Sequence, residues 1–326
     1  MKNATKLGAA AALCATLAAG AVSAQDKITI GFLPGVVDPF YQVMELGVLA
    51  AAKDLGLTVV TQIPPTWGVE VQTPILDAMV ARGDIDYLVI APTDKDQMIA
   101  PLQLAMESGI RIITVDTFLG DGDYAMGPVT FPISAIGSDN VEGGRISARG
   151  LASAIDGKGS VYINSTNPNV SSVEARAIGF NEVMDNEYPD ITVVGIDFNL
   201  DDMNTAVQQT AATLERVPDL AGVFGTNVFS AQGAGTAVVN AGLGGAVQVV
   251  AYDATQFAIE QLREGVVSLV LAQKPYDMGY MAVQFAAADA SGVTSLPTQV
   301  ETGFAIIDIN NVDDPEVARF IYQVSN

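Results

Sequence analysis

Asp38, Asp116, Asn227, Asp253 and Gln273 share one feature: each stands just after a short, apolar, β-rich run. Ser138 and Thr117 occupy similar positions, and Arg176 lies within a helical stretch. A carboxylate, a carboxamide or a guanidinium can each engage two adjacent hydroxyl groups, and the charged ones make the stronger bonds. Phe40, Tyr41, Phe198, Tyr252 and the lone Trp67 lie near the ends of the same runs. An aromatic face complements the C–H side of a sugar ring by apolar contact. The combination points to a site for a polyhydroxyl ligand. A local reading competes with it at each position, because Ser, Thr, Asp and Asn also satisfy the free N–H groups of a helix's first turn. Asp38-Pro39, Thr93/Asp94 and Asp139/Asn140 read as caps first, whereas Asn227, Gln273 and Arg176 fit capping less well. A single aromatic in such a chain is usually core. Trp67 follows Pro64-Pro65-Thr66, and for it a ligand cover and a packed loop residue are both open.

The residues that are missing exclude much chemistry. There is no His, and the one Cys is Cys14. A Ser-His-Asp triad, a cysteine nucleophile and a Cys/His zinc site are therefore out of reach. Asp201-Asp202 could suggest glycoside hydrolysis, but that needs two acids held across a bond. Adjacent acids at a helix start are more simply explained by the helix dipole. Asp308 to Asp313 hints at a calcium loop, yet Val312 offers no side-chain oxygen and Asp313 stands where Gly is needed. Gly120-Asp121-Gly122-Asp123 lacks dinucleotide spacing and reads as a surface loop. No enzyme, cofactor or metal is expected.

Residues 1–24 read as a secretory signal. Lys2 and Lys6 precede an Ala/Leu-rich stretch from Leu7 to Val22, and Val22-Ser23-Ala24 supplies the small residues of a cleavage site. Cleavage after Ala24 would leave a mature chain without Cys, bound for the periplasm. It would also take the net charge from −22 to −24, because Lys2 and Lys6 are the leader's only charged residues. So acidic a surface repels nucleic acid and anionic lipid and favours a soluble monomer. No later segment is apolar and long enough to span a bilayer.

The elements that must position these side chains alternate along the chain. Strand candidates are Ile28–Leu33, Leu57–Ile63, Tyr87–Ile90, Arg111–Val115, Ser134–Gly137, Ser160–Asn164, Thr192–Ile196, Gly222–Thr226, Val247–Tyr252 and Leu269–Ala272. Several are apolar throughout, as parallel strands covered on both faces are. Amphipathic stretches separate them, the first keeping Phe40, Val43, Met44, Gly47, Ala51 and Leu55 on one face. Ten strands with about nine helices predict a doubly wound α/β protein with parallel sheets. The length predicts two lobes, and the absence of a Pro/Gly/Ser-rich linker implies direct crossings between them. In such sheets ligands bind beyond the carboxyl ends of the strands.

Eight short stretches, in order, resemble the ribose/galactose-type periplasmic sugar-binding proteins over essentially the whole mature chain. They are Asp38-Pro39-Phe40-Tyr41, Pro92-Thr93-Asp94, Ile113-Thr114-Val115-Asp116 and Gly137-Ser138-Asp139-Asn140 with Gly143-Gly144. The series continues with Arg176-Ala177-Ile178-Gly179-Phe180, Phe224-Gly225-Thr226-Asn227, Tyr252-Asp253 and Ala272-Gln273. The resemblance implies two lobes joined by three crossing segments near Ser138, Gln273 and Thr302, closing around one sugar. One lobe would hold residues 26–137 and 275–301, the other 138–274 and 302–326. It implies a ligand Asp at 116, Arg at 176, Asn at 227, and Asp253 with Gln273. It also implies a solute-binding component of an ABC importer, whose partner is a membrane permease. Thr117 stands where ribose binders carry Arg, Asp38 replaces a common Asn, and Ala91 a frequent Asn. Losing a planar, multidentate Arg changes which hydroxyls are read, so a hexose, another pentose or a linear polyol is expected. The same core would serve a periplasmic sensor that delivers its sugar to a chemoreceptor or sensor kinase. Loss of uptake in a deletion strain, against intact uptake with lost signalling, separates the two roles.

Overall fold

The computed structural model describes residues 28–323. The expected signal segment, with Cys14 and the cleavage site after Ala24, lies outside the described residues. From Thr29 the chain alternates strand and helix. The first group is β1 (Thr29–Leu33), α1 (Pro39–Leu55), β2 (Thr58–Thr61), α2 (Val69–Ala81), β3 (Tyr87–Ile90), α3 (Ile99–Glu107), β4 (Arg111–Val115) and β5 (Ala135–Gly137). The second is α4 (Asn140–Ala154), β6 (Gly159–Ser165), α5 (Ser171–Glu187), β7 (Ile191–Phe198), α6 (Met203–Arg216), β8 (Leu220–Gly225) and α7 (Val228–Asn240). It continues through β9 (Gln248–Tyr252), α8 (Gln256–Arg263) and β10 (Val267–Ala272). The last group is α9 (Pro275–Ala290), β11 (Gln299–Glu301), β12 (Ala305–Ile307) and α10 (Pro315–Ala318).

Two six-stranded sheets form, in the orders β11-β5-β4-β3-β1-β2 and β12-β10-β9-β8-β6-β7. Every pairing is parallel except that of β12 with β10. Both sheets are doubly wound, which is the α/β class expected from the apolar strand runs. Ile30, Phe32, Val89, Ile113 and Val115 are fully buried in the first sheet, and Val161, Ile163, Val223, Val250 and Leu271 in the second. Parallel strands need that cover on both faces, since their crossover helices shield them from water. The chain passes from one sheet to the other after Gly137, between Ala272 and Pro275, and between Glu301 and Ala305. The helix α9 packs on α1, so the returning segment completes the first lobe.

The ten expected strands are present, and β11 and β12 are additional. Each of these two has only three residues at a sheet edge; β11 is largely exposed, and the apolar β12, with Ile307 buried, is too short to stand out as a strand. The second strand is shorter than its expected range of 57–63, because it too is an edge strand with no fully buried residue. Asp314 caps α10 by accepting from the Glu316 N–H, with Pro315 in the first turn.

Candidate ligand-binding site

Both sheets point the carboxyl ends of their strands toward one cleft. Its walls come from both lobes: Val36, Asp38, Phe40, Tyr41, Trp67 and Asp116 on one side, and Thr166, Val170, Ser172, Val173, Arg176, Asp201, Asn227, Asp253 and Gln273 on the other.

Asp38 begins the first wall. Its Oδ1 accepts from the Tyr41 N–H at 2.7 Å, so it is the cap of α1 while also facing the cleft. That cap holds Phe40 and Tyr41 in the first turn, their rings edge-to-face at 5.0 Å. The Tyr41 hydroxyl donates to Asp116 Oδ2 at 2.7 Å. Trp67 stacks on Tyr41, donates its indole N–H to the Thr93 carbonyl at 3.0 Å, and lies across the face of Gly35. A side chain at Gly35 would collide with that ring. Trp67 is therefore fixed to its own lobe and still lines the cleft.

Arg176 dominates the second wall and is 2 % exposed. Its helix, α5, lies so close to α4 that a Cβ on Gly144 would sit 2.0 Å from the Arg176 carbonyl oxygen, and one on Gly179 would sit 1.9 Å from that of Val141. Only glycine permits that approach. It brings Asn140, at the start of α4, to accept from Arg176 Nε at 2.8 Å, while Nη1 donates to the Thr226 carbonyl at 2.8 Å. Tyr252 supports the guanidinium from beneath, 3.8 Å from the ring centre, and does not reach the cleft. The third nitrogen, Nη2, has no hydrogen-bond partner among the described residues and stands 3.7 Å from Asp116 Oδ1.

Asp116 and Asp253 sit just past β4 and β9 with φ of 61° and 77°. Both are in the left-handed region, which non-glycine residues seldom adopt. The turn directs each carboxylate back across its strand end. Asp253 Oδ1 accepts from Gln273 Nε2 at 2.9 Å and from the Tyr322 hydroxyl at 2.8 Å. The Gln273 N–H in turn donates to the Tyr322 oxygen at 3.2 Å, and Ser138 Oγ donates to Gln273 Oε1 at 2.8 Å. Ser138 and Gln273 lie on two of the crossing segments, so this network ties the lobe connections to a wall of the cleft.

The charge balance is uneven. Four carboxylates, from Asp38, Asp116, Asp201 and Asp253, share the cleft with one guanidinium. Burial pushes Asp116 up to about 6, against the opposing pull of Arg176 and of the Tyr41 hydroxyl. Burial likewise raises Asp253, partly offset by Arg176, Gln273 and Tyr322. Asp201 is pushed up to about 6 by burial, and Asp38 well above the usual carboxylate range by the same cause, with neighbouring carboxylates adding to both. Burial works against the charge on Arg176, and Tyr252, Asp253 and Asp116 more than restore it.

Of the residues expected from sequence to meet the ligand, Asp38, Phe40, Tyr41, Asp116, Arg176, Asn227, Asp253 and Gln273 line this cleft together. Four stand elsewhere. Thr117 donates its hydroxyl to the Pro92 carbonyl at 2.8 Å and borders a neighbouring pocket with Ser138. Tyr252 lies under Arg176, and Phe198, at the end of β7, is 38 % exposed outside the cleft. Asn227 proves to be the cap of α7, accepting from the Ser230 N–H at 3.0 Å, as well as a lining residue. The Asp201-Asp202 pair divides. Asp202 caps α6, as expected of an acid at a helix start, but Asp201 turns into the cleft and accepts from Asn227 Nδ2 at 2.6 Å. Identity of residue type hid that difference from the sequence. Thr166, Ser172 and Tyr322 were also missed; Tyr322 carries no neighbouring motif and contributes only through the fold.

Comparison with known proteins gives a consistent picture. A family described as periplasmic binding protein domain matches residues 30–293. A solved ABC transporter solute-binding protein from Agrobacterium vitis, bound with α-D-tagatopyranose, is 44 % identical, covers 91 % of this chain and 100 % of its own, and superimposes with a TM-score of 0.89. A carbohydrate transporter solute-binding protein from Agrobacterium radiobacter, in complex with D-arabinose, is 28 % identical over 91 % of this chain and 99 % of its own, with a TM-score of 0.83. The ribose import binding protein of Bacillus subtilis (strain 168) is 25 % identical over 264 residues, which is 80 % of this chain and 81 % of that protein.

Proposed function

The chain belongs to the periplasmic binding protein domain family, and from that premise we propose that it captures a neutral monosaccharide or polyol. The ligand, a pentose or a hexose if a sugar, binds between the lobes, which close on it by hinging, and the loaded protein hands it to the membrane permease of an ABC importer. The protein acts as a monomer in the periplasm, after removal of a signal peptide, and it is a binding protein rather than an enzyme.

One observation carries the ligand class: Arg176 Nη2 is buried and unpartnered on the wall of a cleft otherwise edged by carboxylates and carboxamides. Leaving such a group unpaired costs about 1–3 kcal/mol, more when charged. A ligand oxygen relieves that cost, and the ligand's hydroxyls serve the acceptors around it. A polyhydroxyl compound supplies both kinds of group on adjacent carbons. Phe40, Tyr41 and Trp67 supply the apolar side of the same cleft. The Agrobacterium vitis relative, with its α-D-tagatopyranose, makes a ketohexose the first candidate. Among the described residues no helix is long and apolar enough to cross a membrane.

Thermal unfolding of the mature protein with D-tagatose, D-arabinose, D-allose, D-ribose, linear polyols and amino acids tests the reading. A ligand at a hundred times its dissociation constant adds about 2.7 kcal/mol, a rise of roughly 5–10 °C for a chain of this size. A response confined to amino acids would overturn the sugar assignment. Asp253→Ala and Asn227→Ala should each weaken the response by at least about tenfold in affinity, since each leaves polar groups unpaired in the closed cleft. Unchanged affinity in both would overturn the site.

A further inference from the structure

Asp201 enters the cleft because of its backbone. Leu200 and Asp201 have φ of 58° and 59°, two successive non-glycine residues in the left-handed region. That conformation is disfavoured for each of them. It is held in place by three main-chain bonds: the Asn199 N–H to the Ser165 carbonyl, the Leu200 N–H to that of Thr166, and the Asp202 N–H to that of Asn199. Its effect is to separate two adjacent acids. Asp202 turns outward and caps α6, while Asp201 turns inward beside Asn227. Asn227 itself is immobilised, since its Oδ1 accepts from the Ser230 N–H. One carboxylate oxygen of Asp201 is thus fixed by Asn227, and the other has no hydrogen-bond partner among the described residues.

Among the described residues Asp201 forms no ion pair, and the guanidinium of Arg176 on the same cleft stands toward Asp116 instead. Arg176 offsets Asp116 and Asp253, whereas Asp201 and Asp38 are acted on by other carboxylates. The turn leaves Asp201 partly exposed on the cleft wall among other acids, where a ligand can reach it. We propose that Asp201 is a specificity-determining residue of the cleft, accepting a hydroxyl of the ligand and making this end selective for neutral or cationic ligands over anionic ones. A ligand carboxylate or phosphate there would enter a cleft that holds four carboxylates against the single guanidinium of Arg176. The proposal rests on the sugar reading of the cleft and adds to it a residue and a charge rule.

The test compares the wild-type protein with Asp201→Asn and Asp201→Gly. Asn tolerates the left-handed turn and Gly prefers it, so both keep the backbone while removing the charge. The probe is whichever of D-tagatose, D-arabinose, D-allose and D-ribose the wild type binds most tightly by calorimetry, with D-galacturonate as the anion. Affinity for the neutral probe should fall at least tenfold in both variants, while the unliganded melting temperature at pH 7 stays level or rises. A structural role would instead lower that melting temperature. Wild-type binding of D-galacturonate should be at least a hundredfold weaker than that of the neutral probe. Unchanged affinity in the variants, or D-galacturonate bound as tightly as the neutral sugar, would overturn the proposal and leave the sugar reading intact. A wild type that binds none of the neutral sugars would overturn both.

Discussion

Arg176 has three nitrogens, and the fold occupies two of them. A lysine at 176 could keep one of those bonds at most, because a single ammonium cannot reproduce a planar fork. Arg176→Lys is therefore expected to lose affinity by on the order of a hundredfold, about 2.7 kcal/mol, measurable by calorimetry with the tightest neutral sugar. Retained affinity would mean that charge alone suffices at this wall. The carboxylates facing it set a pH dependence. Asp116 and Asp201 are both pushed up to about 6 in the folded protein, from an ordinary value of 3.8. A carboxyl raised in this way contributes stability that is fully present below the unfolded value and is lost as pH rises through about 6. The unliganded protein should therefore resist urea better at pH 5 than at pH 7.5. Higher resistance at pH 7.5 would show that these acids are not held against their ionisation.

The close pairing of α4 with α5 is what brings Asn140 within reach of the guanidinium. Gly179→Ala would place a methyl against the Val141 carbonyl oxygen, with no flexible side chain to yield. The expected loss is about 1–3 kcal/mol in urea unfolding, the range for overpacking a tight contact. Sugar affinity should fall with it, because Arg176 moves with its helix. Full stability and affinity would show that the helices separate without consequence. Gly179 was legible in the sequence only within the motif Arg176 to Phe180, and its steric reason was not. The strands and most of their polar ends were legible, because a fully apolar run followed by Asp or Asn is visible without coordinates. The edge strands β11 and β12 were not, since three residues are too few to leave a periodic trace. Nor was the parting of Asp201 from Asp202, which depends on the handedness of two φ angles. Phe198 misled for a related reason: a strand end places an aromatic near the cleft without saying which face it takes.

At the scale of the whole molecule, the two lobes meet beyond the cleft as well as in it. Lys95 pairs with Glu174, the Lys95 N–H donates to the Asn169 carbonyl at 3.0 Å, and the Phe118 N–H donates to Ser171 Oγ at 2.9 Å. These bonds join the two lobes outside the cleft lining. An ion pair this exposed is worth about 0–1 kcal/mol. Lys95→Ala is thus expected to release labelled sugar faster by about fivefold at most, with little change in unfolding. An unaltered rate would show that the opening step does not break this pair. Trp67 has a consequence of its own. It is the single tryptophan of the sequence, and it is wedged between Gly35 and Tyr41 on the wall that a ligand would touch. Its indole emission therefore arises from one place only and responds to water leaving that place. If the sugar reading of the cleft holds, that emission is a built-in optical gauge of occupancy, readable without a dye or a label.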